Sequence, residues 1–560
     1  MVDAYVEEKI SDKKVKGAAV TVVHDGHVLI SKGYGFADEE NNIHADSDTG
    51  FRIGSVSKTF VALAAMQLVE KGRLQMYAPI SQYLGNNSPS LQYPVTMRQL
   101  LTHTAGFEEI SSGLFFRPNE SLLPLYDTLI KYTPKQVYQP GEVFAYSNYG
   151  ITLAGYVIQN ITGKDFVEYA NQSIFKLLSM NNSTYNVLRP KAPIVSKGYN
   201  NDGTEREESL VQFYPCGSIT STADDMGKYM NFLLSFNDTP ALSKVSRQEL
   251  FKRQYTLDEE FDGIGYCWGR CLWNGHYIYS HEGGTQNFST VVLLCPSERL
   301  GVFVSFNTQA DMHEIISSVS SLLYGPEDIS RYNKPYNGTD SQDISGYYTS
   351  TISSHTSTEK IFNLTTTIQI KGNPSTGFSF NAKKLQHVGK NAYFHPELGY
   401  FKFMKKNGHS FLVTSECFSF LRIPWYDNLG FQASMISFYT LTCLMIFIMS
   451  IIQLVNSIRK RKSLKIAMSI PGILSFGALV FTLFHTYVFI DRLEYASAAE
   501  FFIMLRNCGR MMFITGGMTT VSAIYFSLFK KNWFVCIISV IWTISFISLT
   551  LWLSNLNLLL

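Results

Sequence analysis

Three short clusters in this chain carry groups suited to acyl-transfer chemistry. The first is Gly54-Ser55-Val56-Ser57-Lys58. A serine hydroxyl is a weak nucleophile until a neighbouring base takes its proton. Ser55 and Lys58 stand at i and i+3, which at the start of a helix puts them on one face, one turn apart. The apolar run that follows would bury Lys58, and desolvation lowers a lysine's pKa toward the range where it accepts protons. A helix N-terminus also favours negative charge developing beside Ser55. The second cluster, Tyr146-Ser147-Asn148, follows the turn Pro140-Gly141-Glu142. A phenol near an ammonium ionises more easily, so Tyr146 can relay protons between Ser55 and a leaving group. Asn148 offers a paired donor and acceptor for Lys58 and a substrate amide. The third cluster is His281-Glu282-Gly283-Gly284, after the strand-like HYIYS. Glycines there let a substrate backbone lie against a strand edge. The N–H groups of Gly284 and Ser55 are candidates for an oxyanion hole.

A lone SxxK is a common pattern, and its ordinary meaning is a helix cap followed by a surface lysine. The three clusters together, in this order, resemble the penicillin-recognising (serine β-lactamase-like) hydrolases, whose class A members carry SxxK, SDN and KTG. Here the second and third motifs are YxN and HxG, similar to the branch of class C β-lactamases, D-amino-acid-specific peptidases and related esterases. LLTHTAGF at 100–107, PGEVFAYSNYG at 140–150, GSITSTADDMGKYM at 217–230 and HEGGTQNFS at 281–289 fit the same branch. The resemblance covers about residues 10–325. It implies an α+β fold, with an antiparallel sheet bearing helices on one face and an all-helical lobe. It also implies Ser55, Lys58 and Tyr146 as catalytic groups, and Asn148, His281, Gly283 and Gly284 as substrate-binding ones. His281 stands where class C β-lactamases carry a lysine that helps to hold the substrate carboxylate. A histidine is only partly charged near neutrality, so weak β-lactam hydrolysis at most is expected, and a peptidase or esterase is favoured. His103 is assigned to ordering a loop and Glu282 to solvent. Asn287 stands where glycine is common and alters the shape of the pocket.

The elements that must position these groups are legible as well. Residues 18–32 alternate and break at Asp25-Gly26, a hairpin signal. Residues 57–72 read as a buried, Ala-rich helix stopped by Gly72. Helical stretches follow at 149–162 and 222–235, then strands at 277–281, 289–295 and 301–306. Strands at both ends, with helices between, point to one sheet closed by the two ends of a domain spanning 1–325. Residues 326–425 form a second unit, whose part from Gly346 to Pro424 shows short alternating runs and turn signals. It reads as a small antiparallel barrel, similar in pattern to the lipocalin-like domains appended to some D-aminopeptidases. Such a domain either borders the cleft or spaces the enzyme from a membrane.

Residues 426–560 form the third unit. Apolar segments at 431–455, 466–490, 511–529 and 533–553 each approach the ~20 residues that a helix needs to span hydrocarbon. Arg459, Lys460, Arg461, Lys462 and Lys465 follow the first, and Lys530 and Lys531 the third. The positive-inside rule makes both loops cytoplasmic. The expectation is a multi-pass protein of the cell membrane with its hydrolase domain outside the cytoplasm. Met1-Val2-Asp3-Ala4-Tyr5 lacks the apolar stretch of a signal peptide, which stands against that orientation. The loop charges are given more weight. A hydrolase followed by membrane helices also resembles the prodrug-activating peptidases.

A net charge of +2 over 560 residues implies no single-sign field and no nucleic-acid partner. The eight cysteines show no metal-ligand spacing, and no cofactor or metal is expected. The partners expected are a peptide or small amide or ester substrate and the lipid bilayer. The leading function is a serine peptidase or amidase on D-residue-containing or capped peptides. The alternatives are an esterase of the same family, or an inactive sensor of cell-wall fragments or β-lactams.

Overall fold

The computed structural model describes residues 2–11, 15–328, 342–364, 366–395, 398–414, 418–460, 506–507, 509–514, 516–517, 520 and 533–555. Contact clustering divides the chain into two units. The first comprises Met1–Glu109, Gly113–Ile344 and Lys371–Leu421, and the second Ile110–Ser112, Ser345–Ile370 and Arg422–Leu560.

The first unit is built on a seven-stranded antiparallel sheet. Its strands are β1 (Gly17–His24), β2 (His27–Asp38), β3 (Ile43–His44), β4 (Gly269–Trp273), β5 (His276–Gly284), β6 (Ser289–Cys295) and β7 (Leu300–Phe306). The order is β3-β2-β1-β7-β6-β5-β4, so the two ends of the hydrolase region meet where Val20 pairs with Val304. The β1–β2 hairpin turns at Asp25 and Gly26, both at positive φ, the geometry that matches strand twist in a tight hairpin.

Helices cover both faces of this sheet rather than the single face expected. The reason lies in β1, β6 and β7, which read GAAVTVVH, STVVLLC and LGVFVSF. Strands apolar at successive positions must bury both sides. Ala18, Val20, Leu293 and Val304 pack with Val2 and Val6 of α1 (Val2–Ser11) and with Ile315 and Val319 of the helix Met312–Tyr324. Ala19, Val23, Val292 and Phe303 face the main core with α2 (Ser57–Glu70), α3 (Asn148–Thr162) and α4 (Ala223–Leu234). α2 is buried from Ser57 to Leu68 all round its circumference, as a helix apolar on every side must be.

Nine further strands form a second antiparallel sheet. They are β8 (Gly346–Ser350), β9 (Ile368–Asn373), β10 (Gly377–Phe380), β11 (Lys383–Lys384), β12 (Gln386–Gly389), β13 (Ala392–His395), β14 (Gly399–Lys406), β15 (His409–Thr414) and β16 (Ser419–Ile423). Its order is β11-β10-β9-β8-β16-β15-β14-β13-β12. The two edge strands, β11 and β12, follow one another in sequence, so the sheet curls nearly to a barrel. Within the first unit, Phe411 and Val413 of β15 pack on Tyr138, Val143, Ala145 and Phe261. Lys406 donates to the carbonyls of Gly141 and Glu142 at 3.2 and 2.9 Å.

In the second unit, Glu359 is buried and accepts from the backbone N–H groups of Ser111 and Ser112 at 2.6 and 2.9 Å. The helix Leu429–Arg459 contains the stretch Leu429–Asn456, the one helix among the described residues long and apolar enough to cross a membrane. The helix Trp533–Asn555 carries a shorter apolar stretch, Val540–Leu551. Four spans are therefore not what the described residues provide. The expected segment at 466–490 and most of that at 511–529 lie outside them.

Phe411 is 1 % exposed, so Phe411→Ala should destabilise the first unit by about 3 kcal/mol, the usual cost of emptying an aromatic core site. A fall in melting temperature together with slower Ser55 labelling is expected, because the cluster underlies the 138–145 segment. Thermal melts of the purified full chain check this.

Candidate active site

The turn bearing Ser55 is held from both sides. Phe51-Arg52 pairs with Thr220-Ser221, and the N–H of Ile53 donates to the carbonyl of Ile219 at 3.0 Å. Ser57 Oγ donates to the Gly54 carbonyl at 2.6 Å and accepts from the Ile219 N–H at 3.1 Å. Gly54, at φ +51°, lies against β5, where an added Cβ would come within 2.9 Å of the Gly284 carbonyl oxygen. At Gly283 an added Cβ would overlap the Ile53 carbonyl. The hydrogen of Gly283 therefore faces the Ser55 turn, and this glycine brings β5 against the turn. At Gly284 only Met312 Cε is near.

β4 ends opposite Ser280, where it pairs through Gly269. Beyond that point residues 281–284 pair with β6 alone, which leaves their other edge free of any strand among the described residues. Strand alternation puts His281, opposite Val292, on the main-core face. It puts Glu282, opposite Val291, on the face packed by α1. The side chain of Glu282 is thus turned from the Ser55 face.

Lys58 is 0 % exposed, while Ser55 and Tyr146 are part-exposed. Lys58 Nζ donates to Ser55 Oγ at 2.8 Å, Asn148 Oδ1 at 2.7 Å and the Cys216 carbonyl at 2.8 Å. Its Nζ lies 4.9 Å from the centre of the Tyr146 ring, and Tyr146 interacts electrostatically with Lys58 and Ser55. Burial pulls the pKa of Lys58 down, but the Tyr146 oxygen, Cys216 and Glu109 push it up further, and it stands above the ordinary lysine value. The desolvated neutral amine expected from the sequence is overturned: three acceptors meet three ammonium protons. Burial likewise raises the Tyr146 phenol, against the opposing pull of Lys58. At neutral pH the pair rests as ammonium and phenol.

Asn148 is the first residue of α3, capped by Ser147 Oγ accepting from the Gly150 N–H at 3.1 Å. Its amide Nδ2 donates to Glu109 Oε1 at 2.6 Å and its backbone N–H to Glu109 Oε2 at 3.0 Å. The sequence reading missed Glu109 and the Cys216 carbonyl. Glu109 stands just past LLTHTAGF, and no spacing rule ties it to Asn148. His103 stacks on Tyr146 with ring centres 4.3 Å apart, and its Nδ1 accepts from the Ser147 N–H at 3.1 Å. Burial, with Lys58 nearby, drops its pKa well below the usual histidine range. It is a neutral shelf under Tyr146.

His281 Nδ1 lies 2.6 Å from the Glu282 carbonyl, which can only accept, so Nδ1 carries the proton and Nε2 is bare. Burial and then Lys58 pull its pKa down to about 3. Asn287 does not narrow the pocket. Its side chain is buried against Gly198, with Nδ2 near the Arg206 and Glu207 carbonyls at 3.5 and 3.4 Å.

His276, Cys295 and Glu298 converge within 4.8 Å, but His276 pairs with Glu298, and Tyr324 bonds Glu298 at 3.1 Å. Clefts of roughly 880 and 770 Å³ flank the 258–262 loop, and neither is lined by Ser55, Lys58 or Tyr146.

An antiparallel sheet with a helical lobe, and a serine beside a buried lysine and a tyrosine between them, define a class of serine hydrolases. A family model described as Beta-lactamase matches residues 2–316, and the chain belongs to that family. Protein flp of Staphylococcus aureus (strain N315) is 26% identical over 345 residues, covering 58% of this chain and 68% of that protein. Among solved structures, D-alanine carboxypeptidase AmpC from Burkholderia cenocepacia is 22% identical with a TM-score of 0.50, over 57% of this chain and 97% of that one. SurE, solved with D-Leu, is 19% identical with a TM-score of 0.53, over 75% of this chain and 98% of that one. Three quarters of this chain is longer than residues 2–316, so the likeness in fold to SurE runs on beyond the family match.

If Ser55 is to be acylated with this pair as its base, the pair must shed one proton, and both groups titrate above their ordinary values, which makes the deprotonated form a minority at neutral pH. The labelling rate of Ser55 should therefore climb with pH from about 6 to 9, and a flat profile would refute this proton inventory. Gly283→Ala should reduce labelling by at least about a hundredfold, since a misplaced reacting group costs that much.

Proposed function

We propose that this chain is a membrane-anchored serine hydrolase that forms an acyl-enzyme on Ser55 and acts on capped or D-residue-containing peptides. The observation that carries it is the placement of Ser55 Oγ 2.8 Å from the buried Lys58 Nζ, which itself lies 4.9 Å from the centre of the Tyr146 ring. Because Lys58 already donates to Ser55 Oγ, the serine proton is directed to the Tyr146 oxygen. Once the pair has lost one proton, Tyr146 takes the proton of Ser55 as Oγ bonds to the acyl carbon. The same proton passes to the departing amine or alcohol as its bond to that carbon breaks. Water, deprotonated by the same pair, then releases the acid. The N–H groups of Ser55 and Gly284 are the proposed oxyanion donors, and Asn148 orients Lys58. D-residues are favoured by the likeness to a D-alanine carboxypeptidase and to SurE, the latter solved with D-Leu.

The tautomer of His281 refines the substrate class. A bare Nε2 accepts hydrogen bonds and offers nothing to a carboxylate, whereas a substrate N–H or O–H suits it. Substrates without a carboxylate beside the scissile bond are favoured, which keeps esters as a second reading and makes β-lactams poor ones. The helix Leu429–Asn456 supports anchoring, and the basic residues from Arg459 onward support a cytoplasmic side beyond it.

Fluorescent fluorophosphonate should label the wild type and not Ser55→Ala, with fluorescent penicillin labelling far more slowly. His281→Lys should raise penicillin labelling about tenfold relative to fluorophosphonate, the worth of one charge-assisted hydrogen bond. No labelling of folded wild type by either probe would sink the hydrolase and move weight to the sensor. Membrane-impermeant fluorophosphonate should label intact cells, and labelling confined to lysed cells would reverse the orientation.

A further inference from the structure

The carboxylate that Asn148 bonds among the described residues has no part in the mechanism above. Glu109 accepts from the Asn148 amide at 2.6 Å and from its backbone N–H at 3.0 Å. The other end of the same amide accepts from Lys58 at 2.7 Å. An asparagine amide can turn over and exchange its oxygen and nitrogen. Turned over, it would present Oδ1 to the Glu109 carboxylate and Nδ2 to the Lys58 ammonium, which puts an acceptor on an acceptor and a donor on a donor. Anion, amide and cation thus allow one orientation. The backbone bond adds a second tether, because Glu109 sits at the N-terminus of α3, where an anion is favoured.

Building on the hydrolase reading, we infer that Glu109 is a positioning residue: through Asn148 it fixes the Lys58 ammonium on Ser55 and supplies that ammonium's counter-charge. The groups facing Lys58 are few. Among the described residues they are Ser55 on its own turn, Tyr146 and Asn148 ahead of and at the start of α3, Cys216 from the short helix Tyr214–Gly217, His103 and Glu109 from the loop at 103–109, and His281 from β5. His103 and His281 are neutral, and Cys216 is a thiol held protonated by burial. Glu109 is the carboxylate in this set, and its charge acts on Lys58 in the same sense as those of Tyr146 and Cys216. It keeps the Lys58–Tyr146 pair protonated to higher pH, and its loss frees a proton earlier.

The test compares Glu109→Gln and Glu109→Asp with the wild type in the full chain, following fluorophosphonate labelling of Ser55 against pH. Glu109→Gln keeps an acceptor but removes the charge. Its labelling limb should move about one unit toward lower pH, the usual effect of a nearby charge, while its maximal rate falls about tenfold. Glu109→Asp keeps the charge, so its limb should stay near that of the wild type. A limb unmoved in Glu109→Gln, with the wild type labelling normally, overturns the inference and leaves the hydrolase reading standing. A second arm needs no catalysis: melting temperatures of Glu109→Gln, Asn148→Ala and the double variant. The clamp predicts that the second substitution shifts the melting temperature far less once the first is present. Additive shifts overturn it even in a chain that no probe labels.

Discussion

A buried ammonium sets the terms for the rest of this structure. Removing a charge from water costs several kcal/mol unless partners replace the lost hydration. Lys58 is fully buried, so the fold must deliver those partners from distant places in the chain. Ser55 comes from the same turn, Asn148 from the start of α3, and a carbonyl from Cys216. No two of these elements can shift without stranding the charge. The apolar packing around α2 is generic, since many sequences would fill it, whereas the three acceptors are specific. The same requirement explains why α3 begins where it does. Ser147 caps the helix, and Asn148, its first residue, is free to look across at Lys58.

The second constraint is closeness of backbone. The Ser55 turn and β5 meet without side chains between them, through Gly54 and Gly283. That contact places residues 281–284, which pair with β6 and not with β4, next to Ser55. An extended substrate could add to such an edge as a strand, taking main-chain hydrogen bonds from it while its acyl carbon lies over Ser55. The early end of β4 matters as much as any catalytic side chain, because a longer strand would occupy that edge itself.

Much of this was readable in the sequence, for local reasons. SxxK on a buried helix, the Asp25-Gly26 hairpin, the helical stretches at 149–162 and 222–235, and alternation in the second sheet each rest on neighbours within a few residues. What was misread depends on distance. The protonation of Lys58 follows from counting acceptors that lie 90 and 158 residues away. Glu109 has no sequence relation to Asn148. His281 was expected to be partly charged, whereas burial and Lys58 pull its pKa down. One error was avoidable: unbroken apolar runs in β1, β6 and β7 already call for cover on both faces.

The second sheet is tied to the chemistry through aromatic rings. Phe418, just before β16, meets Phe144 edge-on with centres 5.8 Å apart, and Phe144 meets His103 in the same way at 5.7 Å. His103 in turn lies stacked on Tyr146. Beneath this row, Phe411 and Val413 fill the cluster that holds Val143 and Ala145. Tyr146 has no regular element of its own before α3, and the segment leading to it is irregular from 139 to 147. An irregular segment keeps a side chain in place only if something packs against it. Here that something includes Phe411 and Val413 of β15, and Phe418 beside β16. A proton relay tolerates little displacement, so the strand at 409–414 is under the same geometric demand as the residues that handle the proton.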